Sequence, residues 1–415
     1  LQSYGPLEGW HILLAIGVVS IGFFSYQVQK ATRLVMLGSS DSRFDSWSIR
    51  IKEFISGWLF QKKVLRDKVA GIMHVLMFWG FLMLSTDMFD LATANAFSDK
   101  VLPEIIVGPW NGMVELGYFM ALIGCVSALT RRVVFTPEKL KGKSQLEGNA
   151  ILLLIFTITT TSFMVESAES PSSFWEPIGY WFSERGLSEQ TVILSYWAHM
   201  LAISVFLFLI PLSKHMHLVM AVPNVFFHDA GPMARMRPLA IGDDGKAVPL
   251  EDLDIDSFGV STYNQYSWRQ LIDGWSCTSC ARCQDVCPAY ASGKGLNPMQ
   301  VIHDVRNYAN EHAPILLSGN QPEETILERI TEEAVWACTT CNACVDVCPL
   351  YIEHVPKLTD LRRNAMMETM EYPEVLNTAM GNIESASNPY GFGAHERADW
   401  ASDLGVKIGE PAEYI

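Results

Sequence analysis

CTSCARCQDVCP, residues 277–288, and CTTCNACVDVCP, residues 338–349, decide how this chain is read. Each places cysteines at the spacing C-x2-C-x2-C-x3-C-P: Cys277, Cys280, Cys283 and Cys287, then Cys338, Cys341, Cys344 and Cys348. Three thiolates so close together hold three corners of one 4Fe–4S cubane. The fourth, before proline, ligates the other cluster. The rule assigns Cys277, Cys280, Cys283 and Cys348 to cluster one, and Cys338, Cys341, Cys344 and Cys287 to cluster two. Four-cysteine zinc sites pair two CxxC knuckles across a longer gap, which this spacing does not follow. About fifty residues separate the two motifs. Apolar periodicity predicts helices there over Pro298–Asn310 and Glu323–Ala337, so the domain is an α-helical ferredoxin with two 4Fe–4S clusters.

Nine cysteines are present and eight lie in these motifs, which indicates metal ligation in a reducing compartment. The ninth, Cys125, is expected to be a packing residue. Residues 229–415 hold 28 Asp/Glu against 13 Lys/Arg, which accounts for the net charge of −15 of the whole chain. An acidic soluble part argues against a nucleic-acid partner. The sequence begins at Leu1 without an initiator Met, and Leu1–Gly5 is too short and polar for a signal peptide, so the true N-terminus is expected upstream.

Upstream of the motifs the chain is apolar. Five stretches are long enough to cross a bilayer, roughly His11–Val28, Val69–Leu91, Gly112–Thr130, Asn149–Val165 and Val192–Val222, the last kinked at Pro211. The first–second loop carries nine Lys/Arg from Lys30 to Lys68, and the third–fourth loop carries Arg131, Arg132, Lys139, Lys141 and Lys143. The other two loops hold only Lys100 and Arg185. Positive charge stays inside. The reading is a multi-pass protein of the inner (cytoplasmic) membrane, with its N-terminus outside and its ferredoxin domain cytoplasmic. The domains are 1–228 in the membrane, 229–265 as linker, 266–370 as ferredoxin and 371–415 as C-terminal extension.

Ionisable residues inside spans are functional by default. His74 lies in span two; His199 and His217 lie in span five. On a continuous helix the eighteen residues from His199 to His217 make five turns, on one side and about 27 Å apart. His74 and His217 match in depth as a bis-histidine pair for one haem b. His199 would hold a second if another ligand, for which His11 is the candidate, closes its far side. His303, His312, His354 and His395 read as ordinary surface residues.

Spans two and five resemble the five-span cytochrome b subunit of respiratory nitrate reductase, although span two here carries only the inner of that family's two histidines. Over nearly its whole length the chain resembles electron-transfer-flavoprotein:menaquinone oxidoreductase and its heterodisulfide-reductase-like relatives. The similarity is carried by PLSKHMHLVMAVPNVFF, the two cysteine motifs and NPYGFGAHERADW. It implies an all-α fold, a five-helix transmembrane cytochrome b domain followed by the ferredoxin. It implies quinone-linked oxidoreductase activity, with electrons moving between a cytoplasmic partner and menaquinone or ubiquinone. The partner would be an electron-transfer flavoprotein or a subunit carrying the family's cysteine-rich CCG repeats, which here lie beyond Ile415 or on a separate chain. Quinol-dependent reduction of a cytoplasmic disulfide-type acceptor uses the same parts. A ferredoxin-bearing membrane anchor would carry clusters but no quinone chemistry.

Overall fold

The computed structural model describes residues 3–4, 7–97, 104–135, 143–169, 171–232, 236–239, 248–252 and 258–405. A short antiparallel pair, Ser3–Tyr4 with Leu7–Glu8, comes first, and the other regular elements among the described residues are helices. The first eight helices are α1 Gly9–Val35, α2 Trp47–Phe54, α3 Lys68–Phe97, α4 Glu104–Val133, α5 Lys143–Glu166, α6 Pro177–Ser183, α7 Glu189–Leu212 and α8 His217–Phe226. Around the cysteine motifs follow α9 Trp268–Ser276, α10 Arg282–Asp285, α11 Pro288–Ala291, α12 Pro298–Glu311, α13 Ala313–Leu317, α14 Ile326–Ile330, α15 Glu332–Ala337 and α16 Ala343–Val347. The last two are α17 His354–Asn364 and α18 Val375–Ala386. The chain divides into two compact units, one of residues 1–237 with 261–358, the other of 238–260 with 359–415.

Among the described residues, five helices are long and apolar enough to cross a membrane: His11–Val35, Lys68–Thr86, Ile106–Val133, Gln145–Glu166 and Glu189–Leu212. Large apolar side chains such as Val18, Val19, Ile21 and Leu201 stand exposed along them. Water would penalise that surface, whereas lipid does not. The helices α3 and α4 approach closely where Gly80 meets Gly117; a Cβ on Gly80 would sit 2.6 Å from the Gly117 carbonyl oxygen.

The fifth span ends earlier than its hydropathy indicates. Pro211 lacks an N–H and crowds the preceding turn, and the helix stops at Leu212. Ser213 is extended (φ −122°, ψ 178°), and its hydroxyl accepts from the His215 N–H at 3.1 Å to start a single 3-10 turn. His217 then opens α8. The kink expected within one continuous helix is a break. The five-turn relation between His199 and His217 therefore does not hold.

Local signals set the helices around the cysteine motifs. Ser267 and Gln270 form a reciprocal capping box on α9. Asn297 caps α12, with Pro298 in its first turn, matching the helix expected there. The single helix expected over Glu323–Ala337 is two, because Thr331 adopts φ +73° between α14 and α15. Val301, Ile302, Val305, Tyr308 and Ala309 face the core of this region.

A buried ionic cluster joins it to the membrane helices within the first unit. Arg269, Asp273 and Lys357 are each fully buried. Arg269 donates to Asp273 at 2.8 Å, to Asn224 of α8 at 2.9 Å and to the Phe227 carbonyl at 3.0 Å. Lys357 pairs with Asp273 and donates to the Glu353 carbonyl. Glu353 in turn takes Arg43, from the loop after α1, at 3.2 Å, and Arg237. That loop docks tightly: a Cβ on Gly38 would lie 2.6 Å from the Trp268 nitrogen. In the second unit, the Val260 N–H donates to the Asp360 carbonyl at 3.0 Å, and Glu368 accepts from the Phe258 N–H at 2.7 Å.

Burial alone would raise the Asp273 carboxyl, but Lys357 and then Arg269 draw it down to about 2. A depressed carboxyl contributes stability above its ordinary range and loses it as pH falls toward the folded value, here about 2. Between pH 8 and 5 Asp273 should therefore contribute no pH dependence to unfolding. Asp273→Asn should cost about 3–5 kcal/mol, because two cations stay buried without their carboxylate. Thermal unfolding of the full chain measures both, and a double change with Lys357→Met should recover part of the loss.

Candidate functional site

Both cysteine motifs fold alike. In the first, Ser279 and Ala281 take left-handed φ of 56° and 61°; in the second, Thr340 and Asn342 take 53° and 59° at the equivalent positions. Four non-glycine residues in this region are costly and persist only where the surroundings impose them. The turns wrap each C-x2-C-x2-C loop into a ring, and Ala281 and Asn342 then cap the short helices α10 and α16.

The fourth cysteine of each motif lies with the other motif. A small cavity is lined by Cys338, Cys341 and Cys344 together with Cys287, and closed by Pro298, Val355 and His354. Cys348 packs with Cys277 against Ile302 and Ile352, and lies within charge–charge range of Cys280 and Cys283. Cys283 and Cys344 are also in range of each other, so the two groups adjoin. Among the described residues no three His, Cys, Asp or Glu side chains converge as they would on a single metal ion. Four cysteines spread around a void instead suit a many-atom cluster. Burial pushes the Cys277 thiol up to about 11 and those of Cys344 and Cys348 up to about 12, with Cys283 raised further still. Positive charge from bound iron is what would make them thiolates.

Two histidines read as surface residues belong to this region. His354 is 2% exposed, its Nδ1 lies 3.1 Å from the Ile352 carbonyl, and its ring lines the second cavity. His303 places Nε2 3.6 Å from Cys277 Sγ and 3.1 Å from Ser279 Oγ. Both were missed because a histidine on a polar-looking segment carries no signal of what the fold brings against it. His312 pairs with Glu324 at 2.9 Å, and His395 is exposed.

At the membrane end, His74 Nδ1 lies 2.8 Å from Gln61 Oε1, and His217 Nδ1 lies 2.8 Å from the Lys214 carbonyl. An amide or carbonyl oxygen only accepts, so Nδ1 carries the proton and Nε2 keeps the lone pair a metal needs. The two imidazoles lie within charge–charge range of each other. His199 makes the same arrangement, its Nδ1 3.1 Å from the Ile158 carbonyl of α5. His11 is half-buried near the start of α1. His215 holds Ser213 at 3.1 Å, and its ring centre lies 5.9 Å from that of His217. Cys125 is fully buried and donates to the Leu152 carbonyl, as a packing residue does.

The loop between α2 and α3 connects these places. Arg282, beside Cys283, donates to the Lys63 and Val64 carbonyls at 2.9 and 3.1 Å and lies in charge range of His74. Arg66 holds Asp346 of the second motif at 2.9 Å, and Lys63 stands 3.9 Å over the Tyr351 ring.

These features define a protein with five membrane-competent helices and a 4Fe–4S dicluster domain, the latter matched over residues 269–349. Along 95% of its length the chain is 28% identical to an EtfAB:quinone oxidoreductase of Syntrophomonas wolfei. Along 94% it is 27% identical to a probable iron-sulfur-binding oxidoreductase FadF of Bacillus subtilis. The chain spans 60% of the length of each. A probable membrane-anchored ferredoxin of Chromohalobacter salexigens is 32% identical across 40% of this chain and 28% of its own length. The chain is thus similar to proteins named as iron–sulfur oxidoreductases and as a membrane-anchored ferredoxin. No solved structure matches it.

Cys341 is exposed, whereas Cys283 and Cys348 are buried. After iron removal at neutral pH, iodoacetamide should label Cys341 on the order of tenfold faster than Cys283 or Cys348. Peptide mass spectrometry reads the rates, and equal rates would contradict this arrangement.

Proposed function

We propose that this chain conducts electrons between a cytoplasmic redox partner and the membrane quinone pool. Cluster one would be held by Cys277, Cys280, Cys283 and Cys348, and cluster two by Cys338, Cys341, Cys344 and Cys287. A haem b would be held by His74 and His217. The observation that carries the proposal is the short connection between the cysteine motifs and the half-buried imidazoles, through Arg282 and the loop at Lys63 and Val64. When bound, the clusters and the haem supply reversible one-electron chemistry.

The protein's own residues do the rest. The left-handed turns aim the cysteines inward, and the apolar shell of Leu296, Val355 and Leu358 keeps water from the second cavity. The Gln61 amide and the Lys214 carbonyl fix the imidazole tautomers. Basic residues concentrated in two loops support a cytoplasmic ferredoxin domain and an outer N-terminus, in the inner membrane. The names of the relatives support an electron-transfer flavoprotein as the soluble partner and quinone as the membrane one.

A second haem on His199 has one supporting feature. Helix α1 lies against α7, with Phe23 stacked on Phe208 at 4.7 Å. Three crossings lie between the two spans, so they run parallel. His11 precedes Phe23 by twelve residues and His199 precedes Phe208 by nine, a difference of about 4–5 Å in height. His11 is thus close enough in level to be the opposing ligand.

Anaerobically purified protein should hold about eight irons in clusters. Cys287→Ala should damage the cluster of the second motif, and Cys348→Ala that of the first, as resolved by Mössbauer spectroscopy. Two zinc ions without cluster iron would sink the cluster assignment.

Dithionite should give a low-spin b-type spectrum, and His217→Ala should remove the inner haem while leaving cluster iron in place. A cluster-replete protein with no haem absorbance would overturn the haem assignment and leave a membrane-anchored ferredoxin.

A further inference from the structure

Gln61 is an unusual residue in a telling place. It is 3% exposed and adopts φ +52°, the left-handed region that a glutamine occupies only at a cost. Its side-chain oxygen accepts from His74. Gln61 stands just past the single-turn π-helix Ile55–Leu59 and its C-cap Phe60, where a left-handed residue closes a helix end, and the Lys62 N–H returns to the Ser56 carbonyl at 3.0 Å.

The cysteine-motif region fastens the residues that follow. Two residues on, the Lys63 carbonyl is held by the Arg282 guanidinium, which also takes the Val64 carbonyl in a fork. Lys63 Nζ is seated on Tyr351, three residues beyond Cys348. Arg66 closes on Asp346 with both guanidinium nitrogens, at 2.9 and 3.2 Å, and donates to its carbonyl at 3.0 Å. The Leu65 N–H returns to the Gln61 carbonyl at 3.0 Å. Residues 61–66 are therefore fastened to both motifs at one end and present an acceptor to an imidazole in the membrane helix α3 at the other.

We propose that Gln61 is a positioning residue that sets the electron affinity of the metal group held by His74, and that Arg282 holds Gln61 in place to do so. This rests on His74 being a haem ligand. An acceptor on Nδ1–H makes Nε2 a better donor and favours oxidised iron. A neutral amide gives a modest push and a carboxylate a larger one. Removing the acceptor releases it. Arg282 does not touch His74, so its influence on the imidazole beyond its charge passes through the loop.

Potentiometric titration of haem absorbance on the detergent-solubilised full chain tests this, with cluster iron assayed in parallel. Gln61→Met keeps length and loses the acceptor; it should raise haem electron affinity by at least tenfold, 59 mV for one electron. Gln61→Glu should lower it by at least as much. Arg282→Lys keeps the charge but cannot grip two carbonyls; it should shift the potential upward, and should add little to Gln61→Met in the double variant. Shifts of opposite sign from Met and Glu are something a merely structural residue would not produce. Potentials unmoved by Gln61→Met, or moved the same way by both substitutions, would overturn the inference. Should Gln61→Glu fail to assemble, Gln61→Met and Arg282→Lys still decide it. Absence of haem from the unaltered protein would instead refute the assignment of His74.

Discussion

Asp273 holds this structure together. It is fully buried and accepts from Arg269 and Lys357, which are equally buried, and from the Glu353 N–H. Each of those groups is committed elsewhere: Arg269 to α8 at the end of the membrane region, and Glu353 to Arg43 in the loop after α1 and to Arg237. Buried charge is expensive unless every member is paired. Satisfying it here forces segments from four parts of the sequence into one arrangement. A hydrophobic interface of the same size would tolerate sliding. This one has a single register.

That register fixes what lies against the cysteine motifs. The basic loop between the first two membrane helices, which by composition alone would be a solvated cytoplasmic surface, is a docking platform. Arg43, Arg50 and Arg66 each make defined bonds. Arg50 is 1% exposed and donates to the His228 and Phe226 carbonyls. Charge that signals orientation in the sequence thus also carries tertiary contacts.

The helical class, the apolar spans and the two cysteine motifs are legible, because each depends on spacing within a short stretch. What escaped depended on distant contacts. Thr331 breaks a helix that periodicity joins, and the stop at Leu212 turns an expected kink into a break. His303 and His354 look like surface residues until the fold brings Cys277 and the second cavity against them. Gln61 carries no sequence signal of its role, since the imidazole it meets and the arginine that grips the residues after it reach them only through the fold.

The pairing of Arg43 with Glu353 spans 310 positions of chain. A ribosome adds roughly 5–20 residues per second, so roughly 15–60 s separate the synthesis of the two partners. Throughout that interval the first loop waits at the membrane surface with its guanidinium groups hydrated and its docking partner unmade. The membrane helices are therefore inserted before the buried ionic cluster exists. Maturation of this protein is ordered in time by the length of its own chain, because Arg43 must wait for Glu353.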